Sequence, residues 1–266
     1  MTNESKSAAS LKTIERALSV LEFVAAAPTP PNMRDVSVAL DHNLSSTYNI
    51  VNTLLAAGYL SRDGVGALRI GSRVSFLAAG LERTNDYARM LRPFVEEVSA
   101  SSGETIYLTR HVGDRVVIQI VMEGRGSLRV SGLEVGFYGS EDRRASGKAI
   151  MAFISEDECV SIIRASHPGE DAAKLSARLE ALRPELENIR QVGYAVDDEV
   201  FEPGVCCIAA PYFDDTGRVA GSLAASAPAV RRTTLWGAIK EDVLSATQKM
   251  SLALGSPNAS QPERKG

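Results

Sequence analysis

Three cysteines in 266 residues, Cys159, Cys206 and Cys207, are too few for a disulfide framework, and their spacing fits no zinc site. No apolar run approaches the roughly 18 residues a membrane span needs. The first ten residues, Met1 to Ser10, are polar and lack the apolar core of a secretion signal. These absences lead us to expect a reduced, cytoplasmic chain with no metal, no cofactor and no membrane partner. Positive charge is also in short supply: 29 Lys and Arg face 33 Asp and Glu, for a net charge of -4. That balance does not advertise a nucleic-acid binder. It is uneven, however. Residues 1–70 carry six basic and six acidic groups, so the whole net negative charge lies in residues 71–266.

What is present is enough apolar material, 44% of the residues, to bury sizeable cores, in a length that favours two domains over one. The most informative stretch is Asn43 to Leu60. Ile50, Val51, Leu54, Leu55 and Ala57 recur at helical spacing, while Ser46, Tyr48, Asn49, Asn52 and Thr53 form an uncharged polar face. Asn43 or Ser45 can cap this helix, and Gly58 stands where it should end. A helix greasy on one side, with short hydrogen-bonding groups on the other, can read base edges in a DNA major groove. The same pattern also suits an ordinary surface helix, so the surroundings decide.

Upstream, a helix is expected over Leu11 to Ala27, with Leu11, Ile14, Leu18, Leu21 and Val24 facing inward, Ser10 as cap, and Pro28, Pro30 and Pro31 as the stop. A second opens at Asn32 with Asp35 three residues on, and buries Val36, Ala39 and Leu40. Downstream, Tyr59 to Arg62 and Ala67 to Ile70 read as short strands about a tight Asp63-Gly64-Val65-Gly66 turn. Three helices followed by a hairpin make a winged helix-turn-helix. Its DNA-facing candidates are Arg34 on the second helix; Ser45, Ser46, Thr47, Tyr48, Asn49 and Asn52 on the third; and Arg62 and Arg69 on the wing, where they can meet phosphates.

Ser72 to about Arg83 reads as a linker helix and Leu91 to Val98 as a further apolar stripe. From Glu104 the character changes. Strands are expected at Thr105–Arg110, Arg115–Val121, Ser127–Ser131, Tyr194–Asp197, Val205–Phe213 and Arg218–Ala225. Helices are expected at Ala145–Ile154, Glu156–Ala165, Ser176–Val192 and Thr233–Leu254, with a disordered polar tail from residue 256. Strands in hairpins interleaved with helices define an α+β domain, an antiparallel sheet flanked by helices. The boundaries are 10–71 for the winged helix, 72–84 for the linker and 85–255 for the second domain. Gly64-Val-Gly66 and Gly124-Arg-Gly126 lack the strand-to-helix setting of phosphate loops. Cys207, Asp197 and His111 are weak candidates for a nucleophile set, because a cysteine within an apolar strand usually behaves as a small hydrophobe. His42 and His167 are expected at the surface.

The segment Ser10-Leu-Lys-Thr-Ile-Glu-Arg-Ala-Leu-Ser-Val-Leu, the Leu-Ala-Ala-Gly-Tyr-Leu that closes the third helix, Ala145-Ser-Gly-Lys-Ala149, and the run from Gly193 to Pro211 together resemble IclR-type bacterial transcriptional regulators across roughly residues 10 to 255. The resemblance implies a GAF-like second domain that binds a small metabolite, and a homodimer through the N-terminal domains, often paired into a tetramer. It places the effector pocket at Ala145, Ser146, Asp197, Cys207 and Ser226. A helix N-terminus at Ala145, preceded by Arg143 and Arg144, suits a carboxylate. The expected effector is therefore a small organic or aromatic acid, and the expected operator a roughly palindromic duplex. Asp142 stands where many members have histidine, Ala224 where some place a pocket serine, and Leu44 and Asn49 where many have Lys and Arg. The expectation is a ligand-controlled transcription factor rather than an enzyme. The rival readings are a small-molecule enzyme with an accessory helix-turn-helix and a scaffold whose winged helix contacts proteins.

Overall fold

The computed structural model describes residues 11–84, 86–125 and 133–257, and the chain divides into two compact units, Met1–Asp86 and Tyr87–Gly266. The expected Ser10 cap, the Ser127–Ser131 strand and most of the polar tail lie outside the described residues.

In the first unit α1 spans Lys12–Ala26, α2 Met33–Ala39 and α3 Leu44–Ala56. Strands β1 (Leu60–Arg62) and β2 (Leu68–Ile70) pair antiparallel, and α4 follows over Arg73–Thr84. Local chemistry fixes each boundary. The Asn32 side chain accepts from the Arg34 and Asp35 amides while Asp35 returns a bond to the Asn32 amide, a reciprocal cap that starts α2. Asn43 Oδ1 accepts from the Ser46 amide at 2.7 Å, so Asn43 and not Ser45 caps α3. At its far end Gly58 takes φ +77°, and the Tyr59 amide reaches back to the Leu54 carbonyl, closing a Schellman-type stop. Gly71 sits against the Gly58 carbonyl so closely that a Cβ would lie 2.2 Å from that oxygen.

Packing of the first unit corrects the expected inward faces of α1 and α2: on α2 Val36 is buried but Ala39 is exposed, because the short helix turns only its Val36 side to the core. The core of the unit gathers Val20, Val24, Val36, Ile50, Val51, Leu54, Leu60 and Leu68. Leu11, Ile14 and Leu18 instead remain 67%, 56% and 53% exposed. Helix α1 packs on α3 and the wing through its Val20–Val24 side, so the predicted Leu11–Ile14–Leu18 stripe faces outward.

In the second unit α5 (Asp86–Ser102) precedes β3 (Thr105–Val112) and β4 (Arg115–Met122); α6 (Ala145–Met151), α7 (Glu156–Ser166) and α8 (Ala172–Val192) come next, then β5 (Ala195–Asp198), β6 (Val205–Phe213), β7 (Val219–Pro228) and α9 (Arg232–Ala253). The sheet order is β4-β3-β7-β6-β5, every pairing antiparallel. Alternation along β6 shows how the layers arise. Cys207 and Ala209 face a core shared with α6, α7 and α8, whereas Ile208, Ala210 and Tyr212 face one shared with α5 and α9. Differences from the expected ends have local causes. Helix α8 starts at Ala172 rather than Ser176 because Asp171 caps the Lys174 amide, and α6 ends at Met151 because Ser155 already caps α7.

Candidate functional site

The exposed side of α3 carries Ser45, Tyr48 and Asn49, with Asn52 and Ser46 half-buried beside them. Thr47 does not belong with them. It is fully buried, and its hydroxyl donates to the Asn43 carbonyl at 3.1 Å, so it holds the first turn and cannot reach a ligand. The wing is built on Asp63, whose Oδ1 accepts from the Val65 and Ala67 amides; those bonds, the Ala67 bond foremost, hold its carboxyl below the usual aspartate range. Arg69 makes an exposed 3.5 Å pair with Asp63, and Arg62 is exposed on the neighbouring strand. Arg34 is exposed in the first turn of α2. Short polar groups on one helix, flanked by arginines on other elements, form a surface of the kind that reads base edges while gripping phosphates.

The second cluster lies between the sheet and α6. The two arginines expected to act together are separated. Arg143 is exposed and donates to the Val200 carbonyl. Arg144 is only 1% exposed, and among the described residues its Nε, Nη1 and Nη2 have no hydrogen-bond acceptor. Its guanidinium rests between the Phe137 and Phe201 rings, 5.0 and 6.0 Å from their centroids. Buried polar groups nearly always find partners, and a lone buried charge is expensive. Ser146 Oγ is also fully buried and lies beside the Tyr107 hydroxyl.

Around them lie Tyr107, Cys207 and Ser226. The Cys207 thiol meets the Ser226 hydroxyl at 3.0 Å, and burial lifts it to about 11, so it is no thiolate. Burial likewise raises the Tyr107 hydroxyl, with Cys207 adding to the effect and Arg144, Ser146 and Ser226 opposing it. Asp197 is buried one strand over; its Oδ1 accepts from the Val200 and Phe201 amides at 2.9 and 3.2 Å and so shapes the loop that carries Phe201. Desolvation outweighs those bonds and raises its carboxyl. Ala145 is buried at the head of α6, but a seven-residue helix offers little dipole, so the positive pole here is the arginine side chain.

A pinned strap presents Arg144. Glu141 accepts from the Gly139 amide at 2.7 Å and from the Ser166 hydroxyl. Asp142 Oδ2 bonds His167 Nε2 at 2.9 Å and Arg178 Nη1 at 3.3 Å, and Arg178 forks onto Glu170. His167, expected at the surface, is therefore part of this lock. Ser140 takes φ +54° and its carbonyl accepts from the amides of both Arg143 and Arg144. Gly147 is required because a Cβ there would lie 2.2 Å from the Glu141 carbonyl oxygen. Lys148 is consumed structurally, bonding Glu185 at 2.6 Å and the Val196 carbonyl at 2.8 Å.

Tyr107, Phe137 and Phe201 were not singled out from the sequence. Alternation along β3 would have placed Tyr107 on the α6 side, but Phe137 and Phe201 sit in loops with no periodicity to mark them. The conceivable nucleophile set is not assembled. Cys207 registers with Ser226 and Ser226 with Thr105, and His111 is six positions further along β3, about 20 Å away at strand spacing.

A winged helix joined to an antiparallel sheet domain is the architecture of a DNA-binding transcriptional regulator with an effector-binding domain. Residues 13–64 match the IclR helix-turn-helix domain and residues 81–252 the bacterial transcriptional regulator IclR C-terminal domain. The chain belongs to the IclR family. It is 27% identical over 226 residues to the HTH-type transcriptional repressor AllR of Escherichia coli K12, covering 84% of this chain and 82% of AllR. Among solved structures, IclR of Thermotoga maritima superposes with a TM-score of 0.68 at 23% identity, covering 92% of this chain and 99% of that one. An IclR homolog from Microbacterium hydrocarbonoxydans, complexed with 4-hydroxybenzoate, gives 0.73 at 20% identity, covering 91% and 98%. Both show the shared fold. Among the described residues no helix is long and apolar enough to cross a membrane.

Proposed function

We propose that the second unit binds a small organic acid whose carboxylate is taken by Arg144, and that binding alters how a homodimer engages its operator. The buried guanidinium without an acceptor carries this reading. Arginine presents a planar fork that matches a carboxylate bidentately, and a bound acid would supply the missing countercharge. Phe137 and Phe201 would wall the acid's carbon skeleton, while Tyr107, Ser146, Cys207 and Ser226 offer hydroxyl and thiol partners at its other end. Ala145 and Asp197 shape the site without touching the acid, and Arg143 guards its rim. An aromatic acid fits this lining, and 4-hydroxybenzoate, bound by the Microbacterium relative, is the natural first probe.

In the same reading Ser45, Ser46, Tyr48, Asn49 and Asn52 face the major groove, and Arg34, Arg62 and Arg69 hold phosphates. The domains run 10–71, 72–84 and 85–255, with residues 256–266 as a tail. Two copies associate through the outward Leu11–Ile14–Leu18 stripe of α1 on a roughly palindromic site, as a dimer or a pair of dimers. The protein works in the cytoplasm by binding rather than turnover.

The test is a melting-temperature screen of the full chain against aromatic and short-chain acids, paired with a salt-dependent gel shift on duplex DNA. An acid that raises the melting temperature of the wild type and changes its DNA affinity is expected. An acid consumed by the protein, with no DNA binding, would replace the regulator reading with an enzyme.

A further inference from the structure

Helix α3 reads Leu-Ser-Ser-Thr-Tyr-Asn-Ile-Val-Asn-Thr-Leu-Leu-Ala from Leu44 to Ala56 and contains no charged side chain. Base edges in the major groove have preferred partners. Guanine takes Arg or Lys, cytosine takes Asp or Glu, adenine takes Asn or Gln, and the thymine methyl takes an apolar group. Of these four sets, α3 lacks the first two entirely. Leu44, Ser45, Tyr48, Asn49 and Asn52 span an arc of about 140° at 3.6 residues per turn, opposite the buried Thr47, Ile50, Val51 and Leu54. Leu44 is 58% exposed at the first position of the helix, the end that meets base edges in helix-turn-helix docking. An exposed leucine there has no role in the unit's own core. The arginines of this unit lie elsewhere: Arg16 on α1, Arg34 on α2, Arg62 and Arg69 on the wing, and Arg73 and Arg83 on α4.

We infer that α3 reads an A·T core in each half-site: Leu44 packs on a thymine methyl, and Asn49 or Asn52 takes an adenine N6/N7 edge. The inference rests on the DNA-binding reading above and adds the chemistry of the bases. Guanine and cytosine in the operator, where present, are then left to contacts from outside α3 or to shape.

The test selects duplexes from a randomised pool with the full-length protein, then replaces bases atom by atom in the selected site. The enriched half-sites are expected to centre on A·T pairs. Replacing one thymine by deoxyuridine, which removes only the methyl, should weaken wild-type binding about 3- to 5-fold, the worth of one buried methyl. Leu44→Ala should be indifferent to that replacement. Replacing one adenine by 7-deaza-adenine should cost the wild type about 10-fold, and Asn49→Ala or Asn52→Ala should be indifferent to it. Leu44 and Asn49 are exposed and Asn52 is half-buried at the surface, so these variants keep the fold. An enriched half-site whose binding is lost on 7-deaza-guanine substitution and untouched by deoxyuridine overturns the inference while leaving the regulator reading intact. A pool that yields no enriched sequence overturns both.

Discussion

Replacing Arg144 with methionine separates a ligand-binding cation from a structural one, because the two roles give opposite signs. The guanidinium is 1% exposed and its three nitrogens have no acceptor among the described residues, so in the acid-free protein only the Phe137 and Phe201 rings offset its desolvation cost. Methionine fills similar volume with no charge. Such replacements of buried ionic groups are neutral to stabilising by about 1 to 4 kcal/mol. At about 2 to 4 °C per kcal/mol for a unit of this size, the acid-free variant should melt at the same temperature as the wild type or several degrees higher. The response to acid moves the other way. An acid at about 100 times its dissociation constant adds about 2.7 kcal/mol to the wild type, or roughly 5 to 10 °C, and Arg144→Met should lose that increment. Differential scanning calorimetry with and without 4-hydroxybenzoate or another active acid reads both quantities from one sample. A variant that melts well below the wild type while keeping its full acid response would refute the reasoning, since Arg144 would then be a packing residue.

Three other changes probe neighbouring parts. Asp197→Asn keeps an oxygen for the Val200 and Phe201 amides but removes a buried charge; because burial raises the folded carboxyl above the unfolded one, ionisation costs stability as pH rises through that interval. The variant should therefore match or exceed the wild-type melting temperature at pH 7, with any gain vanishing as pH falls into the ordinary aspartate range; a gain that grows on acidification rejects the sign. Gly71→Ala forces a methyl against the Gly58 and Leu60 backbones and should cost the winged helix about 2 kcal/mol or more, so that gel shifts fail while the acid-induced melting shift survives. Leu18→Glu removes about 2 kcal/mol of burial from each copy if α1 forms the two-fold contact, which symmetry doubles to roughly a thousandfold in dimer dissociation; sedimentation showing an unchanged mass at low concentration would reject α1 as the interface.

The winged helix was legible because its boundaries are set by short-range chemistry. Asn43, Asn32 with Asp35, and Gly58 each satisfy orphan helix groups within a few residues, and a reader of the chain meets all the partners together. Which face of α1 is buried was not legible. Leu11, Ile14 and Leu18 form as good a stripe as Val20 and Val24, and the choice is made by α3 and the wing, which come later in the chain, beyond α2. The sheet's hairpins followed from alternation and turn residues for the same local reason. The arginine pair shows the opposite limit. Arg143 and Arg144 are indistinguishable as neighbours in a string, and their separation into an exposed and a buried side chain depends on a left-handed Ser140, on Asp142 held by His167 and Arg178, and on the Asp197-shaped loop bearing Phe201. The first is a local backbone turn, but the Asp142 contacts and the approach of Phe201 to Arg144 join segments far apart in the chain.

Charge bears on the proposed two-fold arrangement. Residues 1–70 are neutral and the rest of the chain is net negative, so no diffuse attraction draws this protein to DNA. If Arg34, Arg62 and Arg69 each neutralise one phosphate, a single copy makes about three such contacts, and binding would fall with salt at a log-log slope near −3. That is a weak hold for a helix whose proposed base-reading face carries no charge at all. Two tethered copies double the contacts and make the second engagement intramolecular, so affinity multiplies without any added cation. The multiplication is lost whenever the two recognition helices no longer match the spacing of the half-sites. As the proposed dimer, a protein with so little intrinsic attraction for DNA would depend on that spacing more than a strongly basic one. A ligand with a modest preference for one arrangement of the pair can then change occupancy substantially, up to the limit set by its differential affinity for the two arrangements.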